Sequence, residues 1–227
     1  MQNNYTVYHL HSDLSNGVTN IDSVTKYDQY IEYAASLGMK AIGFAEHGSI
    51  FQFIKKKECV EKHKMKYIHA SEFYVTATLD EKIRDNKHCV LIAKNYNGFQ
   101  ELNSLSSKSF NRTDGHHYYV PRITLKELMD TSDNILITTA CIGGLLYEGD
   151  IETRKQFLGF LIKNKHRCFL EVQHHADEHQ GKYNQYLLKL NQKYNIPLIA
   201  GTDTHALNEE HLEGRKILQL SKNVRFA

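Results

Sequence analysis

Two short motifs of metal-ligand type stand near opposite ends of the chain. His9 and His11 form a His-x-His motif, and Asp203 and His205 form an Asp-x-His motif. Side chains alternate along an extended strand, so each motif directs both of its ligand-type side chains to one side. Neutral imidazole and carboxylate suit Zn²⁺, Mn²⁺ or Fe²⁺. The two motifs together predict that the first and last strands meet around metal ions.

Further ligand-type residues accompany other predicted strands. They are His47, Glu72, His88 and Cys141. All except His88, which lies near the start of its strand, stand at or just beyond a predicted strand end. Either motif alone fits half-buried side chains satisfied by the backbone. Eight ligand-type groups exceed the four of one tetrahedral site, so two or three divalent ions are expected. Clustered ions of this kind stabilise both oxygens of a phosphoryl transfer and produce hydroxide at neutral pH.

The composition fits one large domain with a hydrophobic core. The chain has 227 residues, 41% of them hydrophobic, and a formal net charge of +2. This mild charge argues against a protein that coats nucleic acid, but it allows an anionic substrate. The four cysteines form no CxxC motif, so reduced thiols in the cytoplasm are expected. No stretch of 18 apolar residues occurs, so we expect no membrane span.

Strand-type and helix-type segments alternate along the chain. The predicted strands cover residues 5–10, 40–45, 67–76, 88–93, 134–139, 168–173 and 197–200. The predicted helices cover 23–37 (capped by Ser23 and closed by Gly38), 51–63, 97–107, a short helix opened by a capping box at Thr124, 153–164, 180–194 and 209–220. This alternation indicates an α/β fold with a parallel sheet, and the strand number favours a closed barrel. In such a barrel the chemistry lies at the carboxyl ends of the strands.

Several segments give the chain a resemblance to a known family. They are Tyr8-His-Leu-His-Ser-Asp-Leu-Ser15, Ala45-Glu-His-Gly48, Ala70-Ser-Glu-Phe73, the stretch 88–99, Thr138-Thr-Ala-Cys-Ile-Gly-Gly144, Phe169-Leu-Glu-Val-Gln173 and Ile199-Ala-Gly-Thr-Asp-Thr-His205. In these segments, which span nearly the whole chain, the sequence resembles the polymerase and histidinol phosphatase (PHP) superfamily. The Ala-Lys-Asn-x-x-Gly-Phe and Leu-Glu-Val-Gln stretches are similar to the branch found at the N-terminus of bacterial DNA polymerase III alpha subunits (family C).

The resemblance implies a distorted, TIM-barrel-like (βα)7 barrel with a trinuclear metal centre. It implies three ligand sets: His9, His11, Glu72 and Asp203 for one ion; Glu72, His88 and Cys141 for a second; and His47 and His205 for a third. Glu72 would bridge two of these ions. Catalytic roles are expected for Glu72, His88, Asp203 and His205.

The loop after the first motif departs from the family pattern. Related polymerases carry an acidic residue there, typically just before a Gly, but here the loop is shorter and Asn16 precedes Gly17. Asp13 and Asp22 are possible substitutes as the missing ligand. Asp13 could instead cap the loop, and Asp22 could instead be a helix N-cap.

Four other polar features allow two interpretations each. Glu46 stands where the family usually has Asp and could orient the imidazole of His47. Glu171 could support a ligand or form an ion pair at a strand end. The basic and aromatic stretch 111–122 could contact a single nucleic-acid strand or be a solvated loop, and His174 with His175 could line a cleft or belong to a loop. The lysine run 55–57 is interpreted as a solvated helix face.

The leading hypothesis is a metal-dependent phosphoesterase domain of a bacterial- or phage-type polymerase III alpha subunit. It would act as a proofreading 3′-5′ exonuclease that hydrolyses 3′-terminal phosphodiester bonds of DNA by metal-activated hydroxide. One alternative is a free-standing phosphomonoesterase of the histidinol phosphatase type. The other is a non-catalytic module that metal ions stabilise within the polymerase.

We also expect a particular context for the chain. Residues 1–227 are expected to form a single PHP domain, either the N-terminal part of a longer DNA-directed DNA polymerase (a nucleotidyltransferase) or a shortened relative, because no polymerase palm is present. The expected partners are a DNA 3′ end or another phosphate ester and the rest of the alpha subunit. A cytoplasmic location without membrane contact is expected.

Overall fold

The structure, a computed structural model, describes residues 5–18, 22–80 and 83–221. The helices are α1 (Tyr27–Ser36), α2 (Phe53–Lys62), α3 (Tyr96–Ser109), α4 (Leu125–Met129), α5 (Leu145–Glu148), α6 (Ile151–Lys163), α7 (Glu178–Tyr194) and α8 (Glu209–Ser221). The strands are β1 (Ala41–Phe44), β2 (Lys66–Thr76), β3 (Lys87–Ala93), β4 (His117–Tyr118), β5 (Val120–Thr124), β6 (Ile135–Thr138), β7 (Cys168–Gln173) and β8 (Leu198–Gly201). The chain divides into two compact units: unit 1 is Met1–Ser71 with Asp203–Ala227, and unit 2 is Glu72–Thr202.

In unit 1, the first described segment, residues 5–10, lies between β1 and the residues that follow β8. Gly43 of β1 donates its N–H to the carbonyl of Val7 at 2.8 Å. On the other side, Leu10 forms a parallel bridge with Thr204. The prediction that the first and last segments meet is therefore confirmed. The predicted strand 5–10 is wrong in extent, because among residues 5–10 only Leu10 has strand-type pairing.

A glycine makes this close approach of segments possible. A Cβ atom on Gly43 would lie 3.1 Å from the Cα of Tyr8, so a larger residue would push the first segment away from β1. The pairing of β1 with β2 is parallel and ends at Phe44 opposite His69. The core beneath these segments consists of Leu10, Tyr30, Ile31, Ala34, Ile42, Phe44, Val60 and Met65.

Helix α1 begins later than the sequence predicts. The predicted cap, Ser23, instead donates its hydroxyl to the carbonyl of His205 at 2.8 Å. The helix begins at Tyr27, with Lys26 at the N-cap position. Its end agrees with the prediction, because Gly38 follows it with φ +73°, a conformation that glycine adopts without strain.

In unit 2 the strands pair in the order β4-β5-β2-β3-β6-β7-β8. The pairs β2–β5, β6–β7 and β7–β8 are parallel, whereas β3 runs antiparallel to β6. The predicted α/β class is confirmed, but the prediction of an all-parallel sheet is wrong at β3. The described residues of the link from β2 to β3 form no helix, and such a short link does not supply the crossover that a parallel pair requires.

The helices of unit 2 cover the sheet around an apolar core. Helix α3 contacts β3 and β5, and helix α7 contacts β7. Fully buried core residues include Leu91, Leu102, Ile123, Ile137, Phe157, Leu161, Leu170 and Leu187. The capping box predicted at Thr124 is present, with the Thr124 hydroxyl and the Glu127 carboxylate each accepting a backbone N–H at the start of α4.

The stretch 111–122 is partly strand and not a plain loop. It contains the hairpin of β4 and β5, which pair antiparallel through His117 and Pro121. Tyr119 at the turn has φ +65°. The sequence did not predict this hairpin, because β4 is only two residues long and Pro121 is unusual within a strand.

Candidate metal centre

Unit 1 brings the two sequence motifs together in a buried cluster. This His–Asp cluster consists of His9, His11 and Asp203, and both imidazoles are fully buried. The Nε2 atoms of His9 and His11 lie 3.3 Å and 3.1 Å from the same oxygen, Oδ1 of Asp203. Two ring nitrogens and one carboxylate oxygen thus converge on one point.

The backbone around these residues explains the convergence. His11 donates its N–H to the carbonyl of Thr204 at 2.9 Å, which fixes the register between the two motifs. Asp203 has φ +45°, a left-handed conformation that is strained for a residue other than glycine. Burial raises the pKa of Asp203, but the nearby imidazoles more than offset this and hold it well below its usual value.

A second cluster in unit 1 combines the other two imidazoles with an aspartate. This loop cluster consists of His47, His205 and Asp22. Oδ2 of Asp22 lies 2.6 Å from His47 Nε2 and 2.8 Å from His205 Nε2. The imidazole of His11 stacks on both rings, at centroid distances of 4.1 Å to His47 and 4.3 Å to His205.

The tautomer of His205 follows from its contacts. Its Nδ1 lies 2.8 Å from the backbone carbonyl of Asp203, which can only accept, so Nδ1 carries a proton. The opposite nitrogen, Nε2, therefore faces the Asp22 carboxylate either as an imidazolium N–H or as a lone pair with a cation in between. Metal ions and protons compete for this position.

Of the two aspartates that the sequence left open, the structure brings Asp22 into the cluster. Its other oxygen, Oδ1, accepts a hydrogen bond from Arg215 at 2.5 Å. Burial raises the pKa of Asp22, but hydrogen bonds to His205 and His47 lower it well below its usual value. The reading of Asp22 as a helix N-cap is wrong, because Lys26 occupies that position.

Asp13 is placed differently. It is the first residue of a 3₁₀ helix, Asp13–Gly17, whose cap is Ser12, so the proposed capping role of Asp13 is also wrong. Asn16, the residue before Gly17 in this loop, accepts hydrogen bonds from the N–H groups of Asp22 and Ser23 at 2.5 Å and 3.1 Å. Asn16 thus positions the loop that carries Asp22.

Unit 2 contains a third cluster with a different donor set. This thiol cluster consists of Glu72, His88 and Cys141. Nδ1 of His88 lies 3.1 Å from Oε1 of Glu72 and 3.4 Å from Sγ of Cys141. Glu72 is 1% exposed and lies within β2 and not at its end, so its predicted strand-end position is wrong.

The antiparallel direction of β3 explains why His88 belongs to this cluster. Because β3 runs against β6, the start of β3 lies beside the carboxyl end of β6, which Cys141 follows. His88 donates its N–H to the carbonyl of Gly143 at 2.9 Å. A Cβ on Gly143 would lie 3.1 Å from His88 Nδ1, so glycine leaves room for the ring.

The atom separations in these clusters fit divalent metal ions. Ligands held at about 2.0–2.1 Å around a tetrahedral Zn²⁺ lie about 3.3–3.4 Å from one another, and slightly farther when one is sulfur. The His–Asp cluster has separations of 3.1–3.3 Å, and the thiol cluster has 3.1–3.4 Å. The loop cluster is tighter around Asp22, at 2.6–2.8 Å, with 3.5 Å between its two Nε2 atoms. Bridging by Glu72 between two ions stays a prediction.

Glu46 and Lys56 form a buried ion pair that the sequence interpretation missed. Lys56 is 1% exposed, and its Nζ lies 2.6 Å from Oε1 of Glu46. The lysine run 55–57 is therefore not uniformly solvated. A signal was present, because Lys56 precedes the buried Val60 by four residues and so shares its helix face. Glu46 contacts Ser12 and Ser15, so the expectation that it orients the ring of His47 is not matched by its hydrogen bonds.

The remaining sequence candidates lie elsewhere in unit 2. Glu171 is fully buried and accepts hydrogen bonds from the Thr138 hydroxyl at 2.5 Å and the Gln173 amide at 2.8 Å, so it is a hydrogen-bonded strand residue. His174 and His175 stack on each other in an exposed segment. In the 111–122 stretch, Tyr119 is 60% exposed and stacks with the guanidinium of Arg84 at 3.3 Å.

Comparison with known protein families finds one match over most of the chain. The sequence pattern of the PHP domain matches residues 8–175. Similar proteins include DNA polymerase III subunit alpha of Borreliella burgdorferi, which is 30% identical over 221 residues covering 92% of this chain and 19% of the relative. DNA polymerase III subunit alpha of Aquifex aeolicus is 28% identical over 243 residues, covering 99% of this chain and 20% of the relative. The chain thus spans about a fifth of the length of these relatives.

Solved structures with a similar fold include two hydrolase-type proteins. A protein from Bifidobacterium adolescentis described as a metal-dependent phosphoesterase has a TM-score of 0.59 at 10% identity, covering 95% of this chain and 96% of its own. An amidohydrolase from Chromobacterium violaceum has a TM-score of 0.56 at 10% identity, covering 91% of this chain and 89% of its own. These likenesses confirm the predicted type of fold. Among the described residues, no helix combines the length and apolar character needed to cross a membrane.

Proposed function

Because this chain belongs to the PHP domain family, we propose that it is a metal-dependent phosphoesterase that hydrolyses phosphodiester bonds at DNA 3′ ends. One observation carries the proposal: the Nε2 atoms of His9 and His11 converge on Oδ1 of Asp203 at 3.3 Å and 3.1 Å. Buried imidazoles and a carboxylate at these separations suit a divalent cation.

The choice of DNA as substrate rests on the relatives. The proteins similar to this chain over 92% and 99% of its length are polymerase III alpha subunits. A proofreading 3′-5′ exonuclease is the phosphoesterase activity that a replicative polymerase needs at its product strand. We extend the proposal to a partner, the rest of a polymerase alpha subunit. That the chain is one domain of such a protein is part of the same proposal.

Within the clusters, each residue has a distinct role in the proposal. The fully buried His9 and His11 would hold the ion, while Asp203 and His205, whose side chains are 15% and 14% exposed, lie nearer to solvent and would face the substrate. The thiol cluster and the loop cluster would hold further ions. Bound divalent ions would supply Lewis acidity, counter-charge on the phosphate and a lowered pKa for an attacking water.

The contacts of His205 and Asp203 define where these two side chains carry or lack a proton. His205 keeps a proton on Nδ1, which it donates to the Asp203 carbonyl at 2.8 Å. Asp203 remains ionised across the neutral range, because the imidazoles hold its pKa well below its usual value. His88, whose side chain is 22% exposed, is the imidazole through which the thiol cluster reaches solvent.

The test is nuclease activity on a 3′-labelled single strand of DNA with added Mn²⁺ or Zn²⁺. We expect release of labelled nucleotide that chelation abolishes and that Asp203→Asn removes. Asn tolerates the left-handed conformation at position 203, so the variant changes the charge and not the backbone. A suitable control is Asp177→Asn at the N-cap of α7, because Asn caps a helix as well as Asp does.

Two results would contradict the proposal. Intact DNA together with hydrolysis of p-nitrophenyl phosphate would reassign the chain to phosphomonoesters. Tight metal binding without hydrolysis of either substrate would make the clusters structural.

A further inference from the structure

A buried series of polar side chains connects Lys56 to the imidazole of His11. Lys56 Nζ lies 2.6 Å from Glu46 Oε1, and the Ser15 hydroxyl donates to Glu46 Oε2 at 2.5 Å. Ser15 Oγ lies in turn 3.3 Å from His11 Nδ1. All four residues are 0–1% exposed. We propose that this Lys56–Glu46–Ser15 relay fixes His11 in the tautomer protonated on Nδ1 and so presents Nε2 to a divalent cation.

The ionised state of Glu46 is the first step. Its Oε1 accepts from the Ser12 hydroxyl at 2.5 Å and from Lys56 at 2.6 Å. Its Oε2 accepts from the Ser12 N–H at 3.0 Å and from the Ser15 hydroxyl at 2.5 Å. A carboxylate offers about four acceptor positions, so a proton on Glu46 would displace one of these donors. Four donors on one carboxylate therefore keep Glu46 ionised.

The direction of the Ser15 hydrogen bond is the second step. The hydroxyl has a single proton, and an ionised Glu46 can only accept, so that proton points to Glu46. The Ser15 oxygen also accepts the N–H of His47 at 3.2 Å. Towards His11 it can therefore only accept, and Nδ1 of His11 must be the donor.

The consequence for His11 is the third step. A neutral imidazole with its proton on Nδ1 carries a lone pair on Nε2. This Nε2 lies 3.1 Å from Oδ1 of Asp203, so the position between the two atoms takes a positive charge, either a proton or a divalent cation that displaces it. A hydrogen bond at the second ring nitrogen is the usual support of a metal-binding histidine. The inference therefore rests on the metal binding proposed above.

Two variants separate this relay from general support of the fold. Ser15→Ala removes the acceptor for His11 and leaves the Lys56–Glu46 ion pair in place. Glu46→Gln reverses the relay: its amide oxygen faces the ammonium of Lys56, so its NH₂ group faces Ser15 and turns that hydroxyl towards His11. The matched control is Ser109→Ala in unit 2, which also deletes a fully buried hydroxyl, one bonded to the Ser106 carbonyl at 2.7 Å.

The readouts are the nitrogen-proton correlation spectrum of the His11 ring in metal-free protein, calorimetric titration with Zn²⁺, and thermal unfolding. We expect Nδ1 of His11 to carry a proton in the unmodified chain and to lack one in Glu46→Gln. Both relay variants should lose about 10–100-fold in Zn²⁺ affinity, the usual loss when the support of a ligand is removed. Ser15→Ala should unfold within a few degrees of Ser109→Ala.

The relay is overturned if Nδ1 of His11 carries no proton in the unmodified protein, or if Ser15→Ala binds Zn²⁺ as tightly as Ser109→Ala. If the unmodified chain takes up no Zn²⁺, the proposed function fails. In that case the His11 spectrum still decides the relay, because it is recorded without metal.

Discussion

The clusters of unit 1 and the thiol cluster of unit 2 hold the same kinds of side chain by different means. In unit 1, residues from both ends of the chain are fixed by charged side chains, namely the buried pair of Lys56 with Glu46 and the partly buried pair of Arg215 with Asp22. In unit 2, His88 and Cys141 are fixed by the register of two antiparallel strands and by glycines that leave room for the ring. Unit 1 should therefore lose most stability when a charged side chain is replaced, and unit 2 when a glycine beside the cluster gains a side chain.

The largest expected effect concerns the charges of unit 1. Lys56→Met leaves Glu46 buried without its cation, which should lower the free energy of unfolding by about 3–5 kcal/mol. The control is Lys57→Met, which removes a half-exposed lysine paired with Glu61 and should cost about 0–1 kcal/mol. Urea unfolding of both variants measures the difference. Similar stabilities would show that the buried pair does not support unit 1.

The next effect concerns backbone space in unit 2. In Gly144→Ala the new Cβ would lie 2.3 Å from the carbonyl oxygen of Thr139, so the loop carrying Cys141 must move. We expect a loss of about 1–3 kcal/mol in unfolding free energy. Gly159→Ala in α6 meets no atom within 4 Å and should instead stabilise by about 0.5–1 kcal/mol. Equal unfolding free energies of the two variants in urea would show that the close packing at Gly144 does not support the thiol cluster.

A third effect distinguishes the donor sets. Cys141→Ser replaces a soft sulfur by a hard oxygen, so Zn²⁺ affinity should fall more than Mn²⁺ affinity, by about tenfold or more in the ratio. Cys59→Ser, at a partly exposed cysteine of helix α2, should leave both affinities unchanged. Competition titrations with a chromophoric chelator give the two constants. An unchanged Zn²⁺/Mn²⁺ ratio would exclude the thiol as a ligand.

The smallest effect lies away from the clusters, at the base of the β4–β5 hairpin. Burial raises the pKa of Glu127, but hydrogen bonds from Lys108, Thr124 and His116 lower it from 4.5 to about 2. A depressed pKa in the folded state means that Glu127 stabilises the fold fully above pH 4.5. That contribution is lost as the pH falls towards 2. Glu127→Gln should therefore flatten the pH dependence of urea unfolding in that window, and an unaltered slope would contradict the assignment.

Much of the fold follows from local patterns in the sequence. Hydrophobic periodicity and boundary residues predicted both ends of β7 correctly and the ends of most helices to within a few residues. Those segments combine a regular spacing of apolar residues with a residue type that ends an element. The antiparallel direction of β3 was not predictable in this way, since it depends on the connection between strands. The same direction resolves the position of His88, which the parallel interpretation left as an exception.

The ligand-type residues of the candidate site were predictable from the sequence. The residues that position them were less predictable. Spacing alone identified His9, His11, Asp203 and His205 as possible neighbours. It could not choose between Asp13 and Asp22, because that choice depends on how Asn16 folds the loop. Arg215 gave no signal, since its contact with Asp22 bridges residues 193 positions apart.

Anomalous diffraction from crystals grown with Zn²⁺ or Mn²⁺ tests the proposed metal centre most directly. We expect a peak about 2.0–2.2 Å from Nε2 of His9, Nε2 of His11 and a carboxylate oxygen of Asp203, with a further peak in the thiol cluster. Well-ordered crystals without anomalous density beside His9, His11 and Asp203 would contradict it.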